Sequence, residues 1–155
     1  MTPHQCRDPY DWQALLDLIR AAFAGMEGRI DPPSSMHRLT PESIAEQARL
    51  NEVWAIGKPP VACIFLTPKA NALYLGKLAV AAGQRGRGHA RTLVDLAETR
   101  ARARGLPAME LETRVELTEN HATFRALGFT ETGRSAHPGF GHPTSITFRR
   151  GVQAR

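Results

Sequence analysis

The segment 77–90 constrains the fold of this chain more than any other. Its sequence, KLAVAAGQRGRGHA, joins an apolar strand to a polar turn with glycines, and the pattern that follows predicts a helix over about 88–104. The helix places Leu93, Val94 and Ala97 on one face and charged residues on the other. A strand leading directly into an amphipathic helix indicates a sheet with a helix packed against it.

Elements of both types are predicted in the rest of the chain. Helices are predicted over 10–26, from Thr40 onward and over 119–127, and strands over 53–56, 61–66, 72–80, 109–115 and 145–149. Antiparallel strands followed by strand–helix units predict an α/β or α+β fold with a mixed sheet. Since the chain has 155 residues and neither a repeat nor a linker, we expect one domain, 1–155.

The start of the second helix is marked by the sequence Thr40-Pro41-Glu42-Ser43. Thr40 can cap the helix, and Pro41 fits its first position. Ser43 stands where a capping box usually has glutamate. The preceding segment, 25–39, is rich in Gly, Pro and Ser and is predicted to be a loop.

The net charge of +5, from 20 Lys and Arg against 15 Asp and Glu, suits an anionic partner. Nucleic acid, a membrane surface and a phosphate-bearing small molecule all meet this description. The arginines cluster at 85–91 and at 100–104. The second cluster, Arg100, Arg102 and Arg104, ends the predicted helix, where positive charge suits the helix dipole, so it is predicted to need no partner. The absence of interleaved aromatic residues there argues against nucleic acid.

Neither a signal peptide nor a membrane span is predicted, so we expect a soluble, cytoplasmic protein that does not bind a membrane. Cys6 and Cys63 are too few for a disulfide framework, and Cys63 lies in an apolar run that predicts a buried thiol. The histidines and cysteines are scattered, and their spacing predicts no metal site.

The turn that carries Gly86 and Gly88 has the properties of an anion site. Small residues let backbone N–H groups approach a ligand closely, and the helix start adds unpaired donors and a positive dipole end. Arg85 and Arg87 can add charge-assisted contacts. The alternative is that the glycines only shape the turn. A Walker loop and a dinucleotide fingerprint both fail, because His89 and Arg91 stand where those motifs need Lys and a small residue.

Two motifs about thirty residues apart resemble one known family. Arg85-Gly86-Arg87-Gly88-His89-Ala90 closely resembles the R-x-x-G-x-A pyrophosphate-binding signature of the GNAT superfamily of acyl-CoA-dependent N-acyltransferases. Asn120 and the segment 124–129, FRALGF, resemble its later N…(Y/F)xxxGF element. The resemblance implies a central mixed sheet that splays between two parallel strands, with helices on both faces.

The resemblance also implies a cofactor, acetyl-CoA, as acyl donor. Its pantetheine arm would lie along the fourth strand and its pyrophosphate on the glycine turn. The residues that the resemblance places at the cofactor are Leu78, Ala79, Val80, Arg85, Gly86, Arg87, Gly88, His89, Ala90, Asn120 and Phe124.

By the same resemblance, a neutral amine attacks the thioester directly. The N–H of Val80 is expected to stabilise the oxyanion, and Glu112 and His121 are candidate general bases, each with an alternative as a structural or solvated side chain. Phe124 occupies the position at which many members carry an acidic tyrosine. The general acid is therefore open, although a thiol of pKa about 8.5 can leave without one.

Acceptor binding is expected in two loops, with Glu27 and Arg29 in the first and His137 and Phe140 in the second. A small-molecule or peptide amine fits these loops, and a homodimer is left open. The alternative function is a non-catalytic module on the same fold that binds acyl-CoA or nucleic acid.

Overall fold

A seven-stranded mixed sheet in the order β1-β2-β3-β4-β5-β7-β6 carries the fold. The computed structural model describes residues 2–26 and 28–153, with the backbone but not the side chains of residues 35 and 36. The strands are β1 (Pro3–Gln5), β2 (Glu52–Ile56), β3 (Ala62–Pro68), β4 (Leu73–Val80), β5 (Ala108–Arg114), β6 (Thr130–Ser135) and β7 (Ser145–Gly151). The α-helices are α1 (Trp12–Phe23), α2 (Pro41–Leu50), α3 (His89–Ala103) and α4 (Thr118–Ala126), and 3₁₀ turns span Ala24–Met26, Ser35–Arg38 and Ala82–Gln84.

Alternation along the central strands divides the hydrophobic core between the two faces of the sheet. In β3, Cys63 and Phe65 pack on the face covered by α1 and α2. Ile64 and Leu66 pack on the opposite face, which α3 covers with Leu93 and its neighbours. The predicted mixed sheet with helices on both faces is therefore confirmed.

The helix starts follow the chemistry of their capping residues. Asp11 accepts the N–H of Ala14, at 3.0 Å, and fixes the start of α1. At α2, Thr40 accepts the N–H of Ser43 and Ser43 accepts the N–H of Thr40, both at 3.0 Å. Serine thus completes the capping box in place of glutamate. The helix predicted over 10–26 ends earlier, at Phe23, because its last turn tightens into a 3₁₀ turn.

Two strands were not predicted, and both lie at the edges of the sheet. β1 has three residues, too few for a hydrophobic pattern. In β6 none of the six residues is buried, so no alternation of apolar and polar residues marks it as a strand. Its pairing comes from β7 alone.

The basic end of α3 is paired within the chain, by contacts that the sequence analysis did not predict. Arg100 and Arg104 both bind the carboxylate of Glu52 in β2, with their closest contacts at 2.8 and 2.7 Å. Trp54 donates a further hydrogen bond to this carboxylate, at 2.8 Å, and only 2% of Glu52 is exposed. Arg102 instead donates to the carbonyl of Gln153. The cluster of Glu52, Arg100 and Arg104 therefore joins β2 to α3.

The two cysteines are buried and unpaired, as expected for Cys63. Burial raises the pKa of the Cys6 thiol to about 11 and raises that of Cys63 further, so both thiols stay protonated at neutral pH. Within the described residues, no helix has the length and apolar character needed to cross a membrane.

Replacing Glu52 by Gln is expected to reduce the free energy of unfolding by about 2 kcal/mol, because two guanidinium groups lose their anion. Urea denaturation measures this change. Glu131→Gln is the matched control: Glu131 pairs with Arg134 at the surface, so its loss should be much smaller. Equal losses in the two variants would contradict the structural role of Glu52.

The difference in free energy of unfolding between wild type and Glu52→Gln should also depend on pH. Burial opposes ionisation of Glu52, but the hydrogen bonds from Arg100, Trp54 and Arg104 outweigh it, and the pKa of Glu52 is lowered. A lowered acid pKa contributes stability above the pKa of an unfolded glutamate, and this is lost as the pH falls through the folded value. The free energy by which wild type is more stable than Glu52→Gln should therefore decrease as the pH is lowered.

Candidate active site

The parallel strands β4 and β5 pair only near their first residues. Leu73 lies opposite Met109 and Tyr74 opposite Glu110, and the pairing of the two strands goes no further, although β4 continues to Val80 and β5 to Arg114. The two strands therefore separate towards their carboxyl ends and leave an opening in the middle of the sheet. This opening is the splay that the sequence resemblance implied.

A bulge in β4 lies beside the opening. Cys63 of β3 pairs with Ala79, whereas Phe65 pairs with Gly76, so β4 has one residue more than its partner over this stretch. Lys77 at the bulge has φ 48°, a left-handed backbone that non-glycine residues rarely adopt. Because of the extra residue, the side chain of Leu78 packs on the face of the sheet that α3 covers. The side chain of Leu75 packs on the same face.

The bulge and the register together aim the N–H of Val80 into the opening. Hydrogen-bonded and non-hydrogen-bonded positions alternate along an antiparallel pair. The N–H of Ala81 donates to the carbonyl of Val61, at 2.8 Å, so Val80, opposite Ala62, is at a non-hydrogen-bonded position. Its N–H therefore points away from β3, towards the side on which β5 has separated.

A cavity of about 470 Å³ fills the opening. Five residues predicted from the sequence line it: Leu78, Glu112, Asn120, Phe124 and His137. Phe124 packs against Phe129 and Phe148, and the amide of Asn120 lies 3.5 Å from the hydroxyl of Thr113. The structure thus brings together residues from β4, β5, α4 and the β6–β7 connection.

Other predicted residues lie elsewhere. His121 is buried, and its Nε2 lies 2.9 Å from the carbonyl of Arg114. Because a carbonyl only accepts, this nitrogen carries a hydrogen and is not a free base. Arg29 pairs with Glu119, at 2.7 Å, and Phe140 contacts the ring of His142. Glu27 lies outside the described residues.

The glycine turn lies between β4 and α3, next to the opening. Gly86 and Gly88 have φ of 78° and 81°, and a Cβ at either would meet no atom within 4 Å. Gly88 caps α3 without a side-chain hydrogen bond, so the first N–H groups of the helix lack a side-chain acceptor. Arg85 and Arg87 are exposed beside them. The turn therefore presents donors and positive charge to the solvent.

Residues 12–129 match the sequence profile of the Acetyltransferase (GNAT) family. The chain belongs to this family. No curated protein matches the sequence.

Solved structures with the GNAT fold cover nearly the whole chain. An aminoglycoside 6'-N-acetyltransferase complexed with coenzyme A aligns over 100% of this chain and 99% of its own, with a TM-score of 0.76 and 16% identity. The ribosomal-protein-S18-alanine N-acetyltransferase from Escherichia coli aligns over 99% of this chain and 95% of its own, with a TM-score of 0.69 and 18% identity. A GNAT acetyltransferase from Staphylococcus aureus Mu50 aligns over 98% of this chain and 99% of its own, with a TM-score of 0.75 and 17% identity. At these identities the likeness shows the fold alone.

Several residues of this GNAT cavity were not predicted from the sequence: Arg38, Tyr74, Lys77 and Arg114. Successive side chains of a strand point to opposite faces of the sheet. Alternation along β4 could therefore have placed Tyr74 on the face opposite to that of Leu73 and Leu75. Burial raises the pKa of Tyr74 to about 12, and the charge of Glu112 acts in the same direction. Burial lowers the pKa of Lys77.

The loop between α1 and α2 is fastened across the cavity. The guanidinium of Arg114 donates to the carbonyls of Pro32 and Pro33, at 2.5 and 3.1 Å. The N–H of Asp31 donates to Glu116, at 3.1 Å. Because Pro33 lines the cavity, these bonds hold the loop as part of its wall.

His137 occupies the opposite rim and is held by Thr144. The backbone N–H of His137 donates to the buried hydroxyl of Thr144, at 2.9 Å, and ring Nδ1 makes a second, shorter contact with the same oxygen. The imidazole orientation is therefore fixed. Among the described residues, no group of three His, Cys, Asp or Glu side chains is placed to hold a metal ion.

Replacing Arg114 by Met is expected to release the loop over 28–34. Two hydrogen bonds from a charged donor are lost, so trypsin should cleave after Arg29 about tenfold faster. Mass spectrometry of the fragments measures the rate. Arg134→Met removes an exposed arginine that pairs with Glu131 and should leave this cleavage unchanged. Equal cleavage of wild type and Arg114→Met would show that Arg114 does not hold the loop.

Proposed function

We propose that this GNAT protein transfers an acetyl group from acetyl-CoA to a primary amine by direct attack in a ternary complex. The observation that carries the proposal is the opening between β4 and β5, which lies at the end of β4 that continues through the glycine turn into α3. A long donor with an uncharged arm and a pyrophosphate fits this combination of a narrow opening and an anion site.

The turn at Gly86 and Gly88 would hold the pyrophosphate of acetyl-CoA. Gly86 and Gly88 are exposed, and the start of α3 adds its dipole. Arg85 and Arg87 would neutralise the phosphate charge. The pantetheine arm would then follow β4 past Leu78 towards Asn120 and Phe124, which line the cavity.

The N–H of Val80 would stabilise the oxyanion that forms when the amine attacks the thioester. It points into the opening at a position where β4 pairs with no strand on that side. A fixed backbone donor in a partly enclosed site needs no reorganisation when the charge develops. Holding the two substrates together lowers the barrier further.

Glu112 is the proposed general base. Its side chain lines the cavity and remains exposed, so it can take a proton directly or through water. His121 is the weaker of the two candidate bases, because it is buried and is not among the described residues that line the cavity.

The thiolate is proposed to leave without a protein acid. Phe124 has no proton to give, and Tyr74 is a poor donor because its pKa is about 12. Proton transfer from such a weakly acidic phenol to the departing thiolate is therefore uphill. The hydroxyl of Tyr74 stays protonated at neutral pH and is suited to orient a bound group by hydrogen bonding.

Acetyl-CoA at one hundred times its dissociation constant should stabilise the fold by about 2.7 kcal/mol, measured as a thermal shift. Gly88→Leu should abolish the shift, because the side chain fills the space of the pyrophosphate. Gly105→Leu is the control: Gly105 follows the other end of α3, has φ +67° and is equally open, so it carries the same backbone strain. Absence of a shift in wild type would overturn the proposal.

Replacing Glu112 by Gln should lower kcat/KM for the amine by about 10²–10⁴ while acetyl-CoA binding is retained. The rate of CoA thiol release measures this. Glu110→Gln, two residues earlier on β5, is the control, since Glu110 pairs with Arg149. Tight acetyl-CoA binding without turnover on any amine would instead favour the non-catalytic alternative. An unchanged rate in Glu112→Gln would exclude Glu112 as the base.

A further inference from the structure

We propose that the amine acceptor is a small molecule that also carries a carboxylate, as an amino acid does. This inference rests on the acetyl transfer proposed above and names the class of its acceptor. It follows from the charges in the wall of the cavity and from the partners that those charges have.

The wall of the cavity carries more positive than negative charge. Among the residues that the structure describes, Arg38, Lys77 and Arg114 line it, and Glu112 is the one carboxylate of this lining. In the part of the chain that the structure describes, none of these three cations forms an ion pair. Arg114 donates to two neutral carbonyls, which leaves its charge uncompensated. A cavity with surplus cations favours an anionic group on its ligand.

Lys77 is the most informative of the three cations. It lies on the bulge of β4 with left-handed backbone, and its side chain is half-buried. Burying an ammonium without an anion costs free energy, and a bound carboxylate would offset that cost. Arg38 approaches the same cavity from the α1–α2 loop and is exposed. Two flexible cations from different elements can therefore meet one carboxylate.

The donor does not account for these charges. The pyrophosphate of acetyl-CoA is proposed to lie on the turn at 85–90, which has its own arginines, Arg85 and Arg87. The pantetheine arm that would enter the cavity is uncharged. Arg38 and Lys77 are therefore left for the acceptor, while Arg114 holds the loop and adds its positive charge to the wall.

A positive cavity also suits the reaction. Nearby positive charge disfavours an ammonium ion and lowers the pKa of a bound amine, so more of the acceptor is present as the neutral nucleophile. An acceptor with several amines would bring further positive charge into the cavity and bind weakly. The carboxylate of an amino acid compensates the cations, while Glu112 takes the proton that its amine loses.

The test is acetylation of the standard amino acids, each active one compared with its amide and its decarboxylated amine, with spermidine as a polycationic amine. The carboxylate form should exceed the other two by about tenfold or more in kcat/KM, the factor expected for hydrogen bonds to a charged group. Arg38→Gln and Lys77→Gln should each reduce this ratio by more than about threefold and leave KM for acetyl-CoA unchanged. Arg20→Gln, which removes an exposed arginine outside the cavity wall, should preserve the ratio.

Three outcomes would overturn the inference. Amides or decarboxylated amines could react as well as the amino acids, spermidine or another amine could react while no amino acid does, or the Arg38 and Lys77 variants could raise KM for acetyl-CoA instead. Failure of acetyl transfer itself is recognised separately, because wild type would then show no thermal shift with acetyl-CoA and no thiol release with any amine.

Discussion

The separation of β4 from β5 is the constraint on which the rest of this structure depends. A sheet normally satisfies the N–H and C=O groups of its inner strands by continuous pairing. Here the pairing stops after Tyr74 and Glu110, so later backbone groups of both strands face an opening. Unpaired backbone in the middle of a sheet is costly unless a ligand or water supplies the partner. This cost is the physical reason for proposing that the opening receives a ligand.

The opening can persist because the structure around it is firmly held. Beyond it, β5 pairs with β7 over its whole length, from Ala108 to Arg114. On the other side, the carboxylate of Glu52 ties β2 to the end of α3. The helix whose start is proposed to bind phosphate is thus fixed at its far end. Rigid support of this kind lets a site keep its geometry before any ligand arrives.

Sequence patterns predicted the parts of the site that depend on local structure. The strand, glycine turn and helix of 77–104 are consecutive in sequence, so their pattern and spacing identified them. Asn120 and Phe124 followed from a second local motif. The cations of the cavity could not be predicted in this way, because Arg38, Lys77 and Arg114 come from a loop and two strands that meet only in the folded chain.

The same distinction applies to the rest of the fold. Buried strands and amphipathic helices carry periodic patterns, and they were found within a few residues of their bounds. The edge strands β1 and β6 carry none, and the partner of Arg100 and Arg104 is Glu52, about fifty residues earlier. Their position at a helix end suggested only an interaction with the helix dipole, because nothing local in the sequence shows that a carboxylate is buried beside them.

The central claim is that the opening between β4 and β5, with the turn beside it, receives acetyl-CoA. Titration of the ¹⁵N-labelled protein with acetyl-CoA, followed by two-dimensional NMR of the backbone amides, tests it most directly. The account predicts that the largest changes fall on Leu78, Val80, Gly86 and Gly88 and on the first turns of α3 and α4. Changes confined to other surfaces, or none at millimolar acetyl-CoA, would contradict it.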